Sequence, residues 1–363
     1  MLSEIFSKID SDKELSKDEL KQLLLLEDKK ELDQLFQKAY EIKSKYIGRK
    51  VWFRGIIEFS NICQKDCYYC GIRKSNKSVE RFTMKKEEIL AGAEWAFKQN
   101  YGSIVLQSGE RNDKIFIDFI TELVTGIKKL SDGKLGITLS VGEQLFETYK
   151  KWFDAGAHRY LLRIETTNRD LYKSLHPSNH TFGKRKGCLA FLKEIGYQVG
   201  TGVMIGLPGQ NIDDLINDIL FFRELDIDMI GMGPYIVSPN TPTALNVPDF
   251  KAIKEYQYLM AIKMIAVTRI FLKDVNIAST TALQALKPYG REMGLKAGAN
   301  IIMPNVTDTR FRANYQLYED KPCIDENSDL CMGCLESRIL KIDETIGLGE
   351  WGDSPHFFNR SKT

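Results

Sequence analysis

From residue 50 onward the chain repeats one unit: a short run of β-branched and other apolar residues, then a longer stretch with apolar residues at helical spacing and charges between them. Candidate strands fall at 51–59, 103–107, 136–140, 158–165, 198–205, 228–233, 275–280 and 300–303, and candidate helices at 85–98, 113–129, 144–153, 184–195, 212–224, 250–272 and 283–296. Eight such units is the count at which a parallel sheet closes on itself. An open doubly wound sheet is the competing reading, but no strand leads into a helix through G-x-G-x-x-G. The expected fold is therefore α/β, a (β/α)8 TIM-type barrel over residues 49–318. Residues 1–48, with apolar positions spaced i, i+3 and i+4, read as an N-terminal helical cap. Residues 319–363, with three cysteines, several Gly and Asp and a polar tail, read as a C-terminal extension on the barrel mouth.

The 363 residues leave room for both additions beyond the roughly 250 of a plain barrel. Basic and acidic side chains nearly cancel, 51 against 49, so no global field draws the protein to nucleic acid or an anionic membrane. The start mixes Glu, Asp and Lys without the order of a secretory signal, and no apolar run approaches the roughly 20 residues of a membrane span. A cytoplasmic protein is expected. Seven cysteines, an odd number, fall as Cys63, Cys67 and Cys70, then Cys188 alone, then Cys323, Cys331 and Cys334, a distribution that suits metal chemistry in a reducing compartment. Cys188 sits in an apolar helical context and reads as packing; the four histidines are scattered and assemble no multi-histidine metal site.

The first candidate strand runs into Ser60-Asn61-Ile62-Cys63-Gln64-Lys65-Asp66-Cys67-Tyr68-Tyr69-Cys70, with three thiols spaced x3 and x2. A structural zinc site wants four protein ligands, and no fourth Cys or His is nearby in the sequence. A [4Fe–4S] cube held by three thiolates leaves one iron open, able to take an amino acid's amine and carboxylate and to pass an electron to an adjacent sulfonium. S-adenosylmethionine is the ligand that fits. A CxxxCxxC loop with an aromatic before its last cysteine, after the first strand of a barrel, resembles the radical SAM superfamily. The reagent this implies is a 5′-deoxyadenosyl radical made by reductive cleavage of the sulfonium.

Strand 158–165 carries Arg159, Leu161, Arg163 and Glu165 on one face. If Leu161 faces the lumen, two arginines and a glutamate do too, where a structural barrel holds Val, Ile and Leu. The alternative turns those residues toward the helices and leaves Tyr160, Leu162 and Ile164 as core. Glu165 falls at the carboxyl end of its strand, where barrel enzymes keep binding groups. With Thr138, Ser140, Thr280 and Thr281 at neighbouring strands, the lumen reading predicts a polar, cationic cavity suited to a small anion. Strand two ends in Gln107-Ser108-Gly109-Glu110, similar to the superfamily's GGE-type motif that meets the methionine amine. Strand five ends Val203-Met204-Ile205-Gly206-Leu207-Pro208-Gly209-Gln210, where extended backbone and glycines would let an adenine lie against the chain.

Ile57–Cys63 through Tyr69-Cys70-Gly71-Ile72-Arg73, with Leu106–Glu110, Arg159–Arg163, Gly206–Gln210, Thr280-Thr281, Met303-Pro304-Asn305 and Tyr315–Tyr318, resemble the [FeFe]-hydrogenase maturase HydE group, relatives of biotin synthase and methylornithine synthase. The resemblance implies that Cys63, Cys67 and Cys70 hold the cluster and that Glu165 and Arg185 bind the amine and carboxylate of S-adenosylmethionine, with Tyr69, Gln107, Ser108, Glu110, Ser140, Met204 and Ile205 around the cofactor. Thr138, Arg159, Arg163, Thr280, Thr281, Met303 and Tyr318 would line the substrate cavity, and Cys323, Cys331 and Cys334 could hold an accessory Fe–S cluster. The implied substrate is a cysteine-bound iron dicarbonyl cyanide complex delivered by a partner maturase, with electrons from a low-potential donor such as flavodoxin or ferredoxin. Three departures put the substrate in question: Ile164 stands where the group has histidine, His176 where an arginine precedes Pro177, and the loop 178–183 is one residue longer. A paralogue with another small substrate, a methylornithine synthase-type mutase, and a non-catalytic carrier of iron–sulfur or iron complexes stay open as alternatives.

Overall fold

The computed structural model describes residues 2–247 and 249–360; residues 1, 248 and 361–363, which include the outer limits of the two expected terminal segments, lie outside the described residues. Its strands are β1 (Lys50–Ser60), β2 (Ser103–Ser108), β3 (Gly136–Ser140), β4 (Arg159–Leu161), β5 (Gln198–Thr201), β6 (Met204–Ile205), β7 (Met229–Ile230), β8 (Gly233–Pro234), β9 (Asn276–Ile277), β10 (Ile301–Ile302) and β11 (Thr345–Gly347). The sheet runs β10-β1-β2-β3-β4-β5-β7-β9, and all of its pairings are parallel. After a short interruption β6 and β8 continue β5 and β7 and pair with each other. A parallel bridge from Ala278 to Ile301 joins the two ends of the sheet. There Ser279 N–H donates to the Ile301 carbonyl at 2.8 Å and Asn300 N–H to that of Ile277 at 2.9 Å. Eight strand positions therefore come round into a ring, with the helices outside.

The helices begin and stop where side-chain chemistry dictates. Asp113 caps Lys114–Leu130 by accepting from Phe116 N–H, and Phe116, Ile120, Leu123, Val124 and Ile127 form one stripe buried against the sheet. Asn211 caps Ile212–Glu224, and Gly196, at φ +105°, ends Phe182–Ile195. The expected single helix over 283–296 is two, Thr281–Leu286 and Gly290–Lys296, because Pro288 cannot continue the first. Strand 158–165 keeps regular pairing only over Arg159–Leu161. Beyond it Ile164 N–H donates to Thr201 Oγ1 instead of a carbonyl, and Glu165 adopts φ +69°. Helices Leu2–Asp10, Lys17–Leu25 and Lys29–Tyr46 pack on the barrel through one continuous apolar core that includes Ile5, Leu20 and Leu35. No helix among the described residues is long and apolar enough to cross a membrane.

The C-terminal extension corrects an expectation. Rather than sitting only on the mouth, it crosses to the opposite end, where β11 pairs with β1 and residues 351–354 seal the barrel floor. Arg54 and Asn276 donate to the Gly352 carbonyl at 3.0 and 2.9 Å, Arg159 to the Trp351 carbonyl at 2.9 Å, and Ser354 N–H to Gln198 Oε1 at 3.1 Å. Asp353 accepts from Arg159 at 2.6 Å and pairs with His158, whose ring stacks on Trp351. Burial lowers the fully enclosed Arg159 to about 10, while against its own burial the His158 bond and Arg159 hold the Asp353 carboxyl well below its usual range. Removing one member of a buried pair strands the other, at about 3 kcal/mol or more. Asp353→Ala is therefore expected to lower unfolding stability in urea by about that amount; a midpoint unchanged from wild type would show that the seal is not carried by this pair.

Candidate functional site

The loop after β1 is stitched by its own polar side chains. Arg81 donates to the carbonyls of Asn61, Ile72, Arg73 and Asn76 at 2.6–3.0 Å, and Asn61 Nδ2 donates to those of Glu80 and Asn314, both at 2.7 Å. Cys67, Tyr69 and Cys70 are thereby held at the carboxyl ends of the strands, facing a cavity of about 320 Å³ inside the barrel mouth. Ser108-Gly109-Glu110 packs directly on this loop, with Gln64 N–H donating to the Glu110 carbonyl at 2.8 Å and Glu110 N–H to Cys63 Sγ at 3.3 Å. The approach is so close that a Cβ at Gly109 would lie 2.4 Å from the Ile62 carbonyl oxygen, so only glycine fits.

All three thiols line the cavity, and burial pushes each upward in pKa, Cys70 to about 12. Such sulfurs become thiolates when a metal takes the place of the proton. Three soft sulfur donors on one loop, all facing the same cavity, are a donor set that fits a [4Fe–4S] cluster.

Around the thiols the cavity carries charge of both signs. Arg163 Nη2 pairs with Glu165 Oε2 at 3.0 Å, and Arg163 also donates to the Val203 carbonyl at 2.9 Å. The left-handed backbone at Glu165, unusual for a residue with a Cβ, turns its carboxylate into the cavity; strain of this kind concentrates at binding sites. Arg185 donates through Nε to Glu143 Oε1 at 2.7 Å and through Nη1 to the Arg163 carbonyl at 2.9 Å. Against the cost of burial, contact with the His180 ring and the charges of Arg185 and Lys65 hold Glu143 well below the usual carboxylate range. Lys65 reaches both Glu143, at 3.0 Å, and Glu110, at 3.3 Å. Farther into the barrel, Thr280 Oγ1 is buried without a hydrogen-bond partner, and Lys321 reaches Glu58 at 2.5 Å.

Of the residues singled out from sequence, Tyr69, Gln107, Ser108, Glu110, Ser140, Glu165, Arg185 and Met204 line this cavity, as do Arg163, Thr280, Thr281, Met303 and Tyr318. Two of the expected substrate residues do not. Arg159 and Thr138 point to the lumen side but at floor level, bonded to each other at 3.0 Å and to the tail through Asp353. Ile205 is wholly buried in the apolar core, so only its backbone is available to a ligand. The C-terminal thiols are split: Cys323, Glu326 and Cys331 converge, whereas exposed Cys334 lies outside that group. Cys331, Leu335 and Ile339 form the buried stripe of helix Ser328–Leu340, and this turns Cys334 to solvent. Cys188 is buried in the core.

Sequence reasoning missed Glu143, Lys65 and the two histidines next to the cluster loop. His176 and His180 are buried, and one ring nitrogen of each lies within 4.8 Å of Cys67 Sγ. Ile164, in contrast, is core and does not line the cavity, so the departures from the family pattern gather near the cluster loop rather than the substrate end. Behind the site, buried Asp218 accepts from Thr167 N–H at 2.7 Å and from its hydroxyl at 2.6 Å, anchoring the turn after Glu165. Burial raises this carboxyl to about 7. A raised carboxyl contributes stability that is fully present below its unfolded value of 3.8 and lost as pH rises to its folded value, so unfolding stability should fall between about pH 4 and about pH 7. The fall should be smaller in Asp218→Asn; identical slopes in urea titrations of the two proteins would refute the assignment.

The pattern of the Radical SAM superfamily matches residues 57–222. The "[FeFe] hydrogenase maturase subunit HydE" of Thermotoga maritima is 44% identical over 356 residues, 98% of both chains. A "3-methylornithine synthase" of Methanosarcina acetivorans is 29% identical over 308 residues, 83% of each chain. Among solved structures, methylornithine synthase (PylB) superposes with a TM-score of 0.81 at 24% identity, covering 95% of this chain and 98% of that one. The maturase HydG from Carboxydothermus hydrogenoformans gives 0.80 at 20% identity, covering 96% of this chain and 79% of that one. Both superpositions show the shared barrel fold. Fold, cysteine loop and cavity thus define a radical SAM enzyme. Within that superfamily the chain belongs to the HydE family.

Proposed function

We propose that the protein cleaves S-adenosylmethionine reductively and directs the resulting radical at a small anionic substrate deeper in the barrel, in assembly of the [FeFe]-hydrogenase cofactor. The observation that carries this reading is the 44% identity with a HydE maturase along 98% of both chains. Cys63, Cys67 and Cys70 would hold a [4Fe–4S] cluster, which when bound would supply the electron that breaks the sulfonium. Glu165 takes the amine of S-adenosylmethionine and Arg185 its carboxylate, with Ser108 assisting; Met204 and the Ile205 backbone flank the adenine. Arg163, Thr280, Thr281, Met303 and Tyr318 hold the substrate, and Arg163 supplies the positive charge. The cation is restrained by Glu165 and by the Val203 carbonyl, so little side-chain freedom is lost when an anion binds.

The substrate class this reading assigns is a cysteine-bound iron carbonyl cyanide complex passed on by a partner maturase, with a flavodoxin or ferredoxin as reductant. An accessory metal site would be built on Cys323 and Cys331, with Glu326 converging on the same point. The test is anaerobic reconstitution with iron and sulfide, reduction by dithionite, and assay for 5′-deoxyadenosine and methionine, followed by in vitro activation of apo-hydrogenase with the other maturases. Cleavage with activation is the expected result. Cleavage without activation would make the protein a paralogue acting on another substrate; a loaded cluster without cleavage would make it a carrier.

A further inference from the structure

His180 is enclosed by four groups that together decide where its ring proton sits. Its Nε2 lies 2.7 Å from Arg185 Nη2 and 3.0 Å from Glu143 Oε1, its Nδ1 lies 3.7 Å from Cys67 Sγ, and the His176 ring stands edge-on at 4.5 Å. A guanidinium has donors only. The nitrogen 2.7 Å from it is read as accepting from it, because an N–H there would oppose the guanidinium N–H at the shorter of its two polar contacts, while Glu143 Oε1, 3.0 Å from the same nitrogen, takes its hydrogen bond from Arg185 Nε at 2.7 Å. A neutral imidazole whose Nε2 accepts carries its proton on Nδ1, and that nitrogen faces the sulfur.

The neighbouring histidine is fixed by the same logic. His176 Nδ1 is 2.8 Å from the Tyr172 carbonyl, which only accepts, so that nitrogen holds the proton. Its Nε2 then accepts from the Tyr69 hydroxyl at 3.4 Å, and Tyr172 stacks on the ring at 4.0 Å. His176 thus braces the residue before Cys70 and forms the wall that keeps His180 from rotating away from Cys67.

We propose that His180 donates an N–H···S hydrogen bond to the cluster thiolate Cys67, with Arg185 setting the tautomer, and so raises the reduction potential of the cluster. The proposal rests on the cluster assignment above. Reduction adds negative charge to the cluster and its sulfurs, and a donor aimed at a sulfur stabilises the reduced form more than the oxidised one. Because Arg185 is also the group assigned to the carboxylate of S-adenosylmethionine, one guanidinium connects cofactor binding to the electronic setting of the cluster. His180 is accordingly a positioning residue.

The experiment uses the full-length protein, reconstituted anaerobically without S-adenosylmethionine and titrated with titanium(III) citrate while the reduced cluster is followed by electron paramagnetic resonance. Iron and sulfide contents report whether the cluster is present, so a failure of the cluster assignment is distinguished from a failure of the hydrogen bond. His180→Phe fills the same space without a donor and is expected to shift the midpoint to a more negative potential at unchanged iron content. His180→Gln, which restores an N–H, should recover part of the shift. An unchanged midpoint in His180→Phe, or equal shifts in both variants, overturns the proposal. Should His180→Phe fail to fold or load, wild-type protein with isotopically labelled histidine gives the answer: a weak histidine-nitrogen coupling to the reduced cluster, retained in His176→Phe, is expected, and its absence overturns the proposal. Zinc bound by Cys67, His176 and His180 in place of the cluster would also overturn it.

Discussion

Cys67→Ala is expected to abolish both the broad absorbance of the reconstituted cluster near about 400 nm and the formation of 5′-deoxyadenosine, a loss of activity to background. Cys67 is the middle sulfur of the trio, and no spare thiol is available to take its place. Cys188 is buried in the core, and Cys323, Cys331 and Cys334 belong to the C-terminal extension. With two thiolates in place of three, a [4Fe–4S] cluster would be held less firmly, and S-adenosylmethionine would lose the site that orients it for cleavage. The substitution is mild for the fold, because the loop is held by Arg81 and Asn61 through backbone carbonyls rather than by the thiol. Circular dichroism should therefore match wild type. Retained cleavage in this variant would remove the basis for the assigned chemistry.

Glu165→Gln should leave iron content intact and weaken binding of S-adenosylmethionine by about 10- to 100-fold, the equivalent of about 1.5–3 kcal/mol for a hydrogen bond to a charged group. Glutamine keeps the length and shape of the side chain and inherits the same left-handed backbone, so the comparison isolates the charge. It also releases Arg163 from its 3.0 Å ion pair, and the cavity becomes more cationic at the point where an amine should bind. Equilibrium dialysis on the reconstituted protein reads the effect directly. An unchanged dissociation constant would move the amine site elsewhere in the cavity.

The barrel could be read in advance because each of its units is locally consistent. The helices at 212–224 and 250–272 coincide with Ile212–Glu224 and Phe250–Leu272, where capping residues and apolar stripes agree on both ends. Where local and long-range signals differ, the sequence is a weaker guide. Alternation along 158–165 assigns Arg159 and Arg163 to the same face but says nothing about height along the barrel axis. Four residues separate a group at the sealed floor from one in the cavity, and only the path of the tail decides which is which. Cys331 and Cys334 sit three apart on a helix, a spacing compatible with one site; packing of Leu335 and Ile339 rotates the second thiol outward. His176 and His180 lie in a turn without periodicity, and their approach to Cys67 depends on a loop more than a hundred residues away in sequence folding back over the first one.

The seal formed by residues 351–354 has a consequence for turnover. A vessel stoppered at its base is filled from the mouth, and the reactant that settles deepest is expected to enter first. Kinetics should then show a compulsory order, with S-adenosylmethionine arriving second and its fragments leaving before the processed substrate can follow.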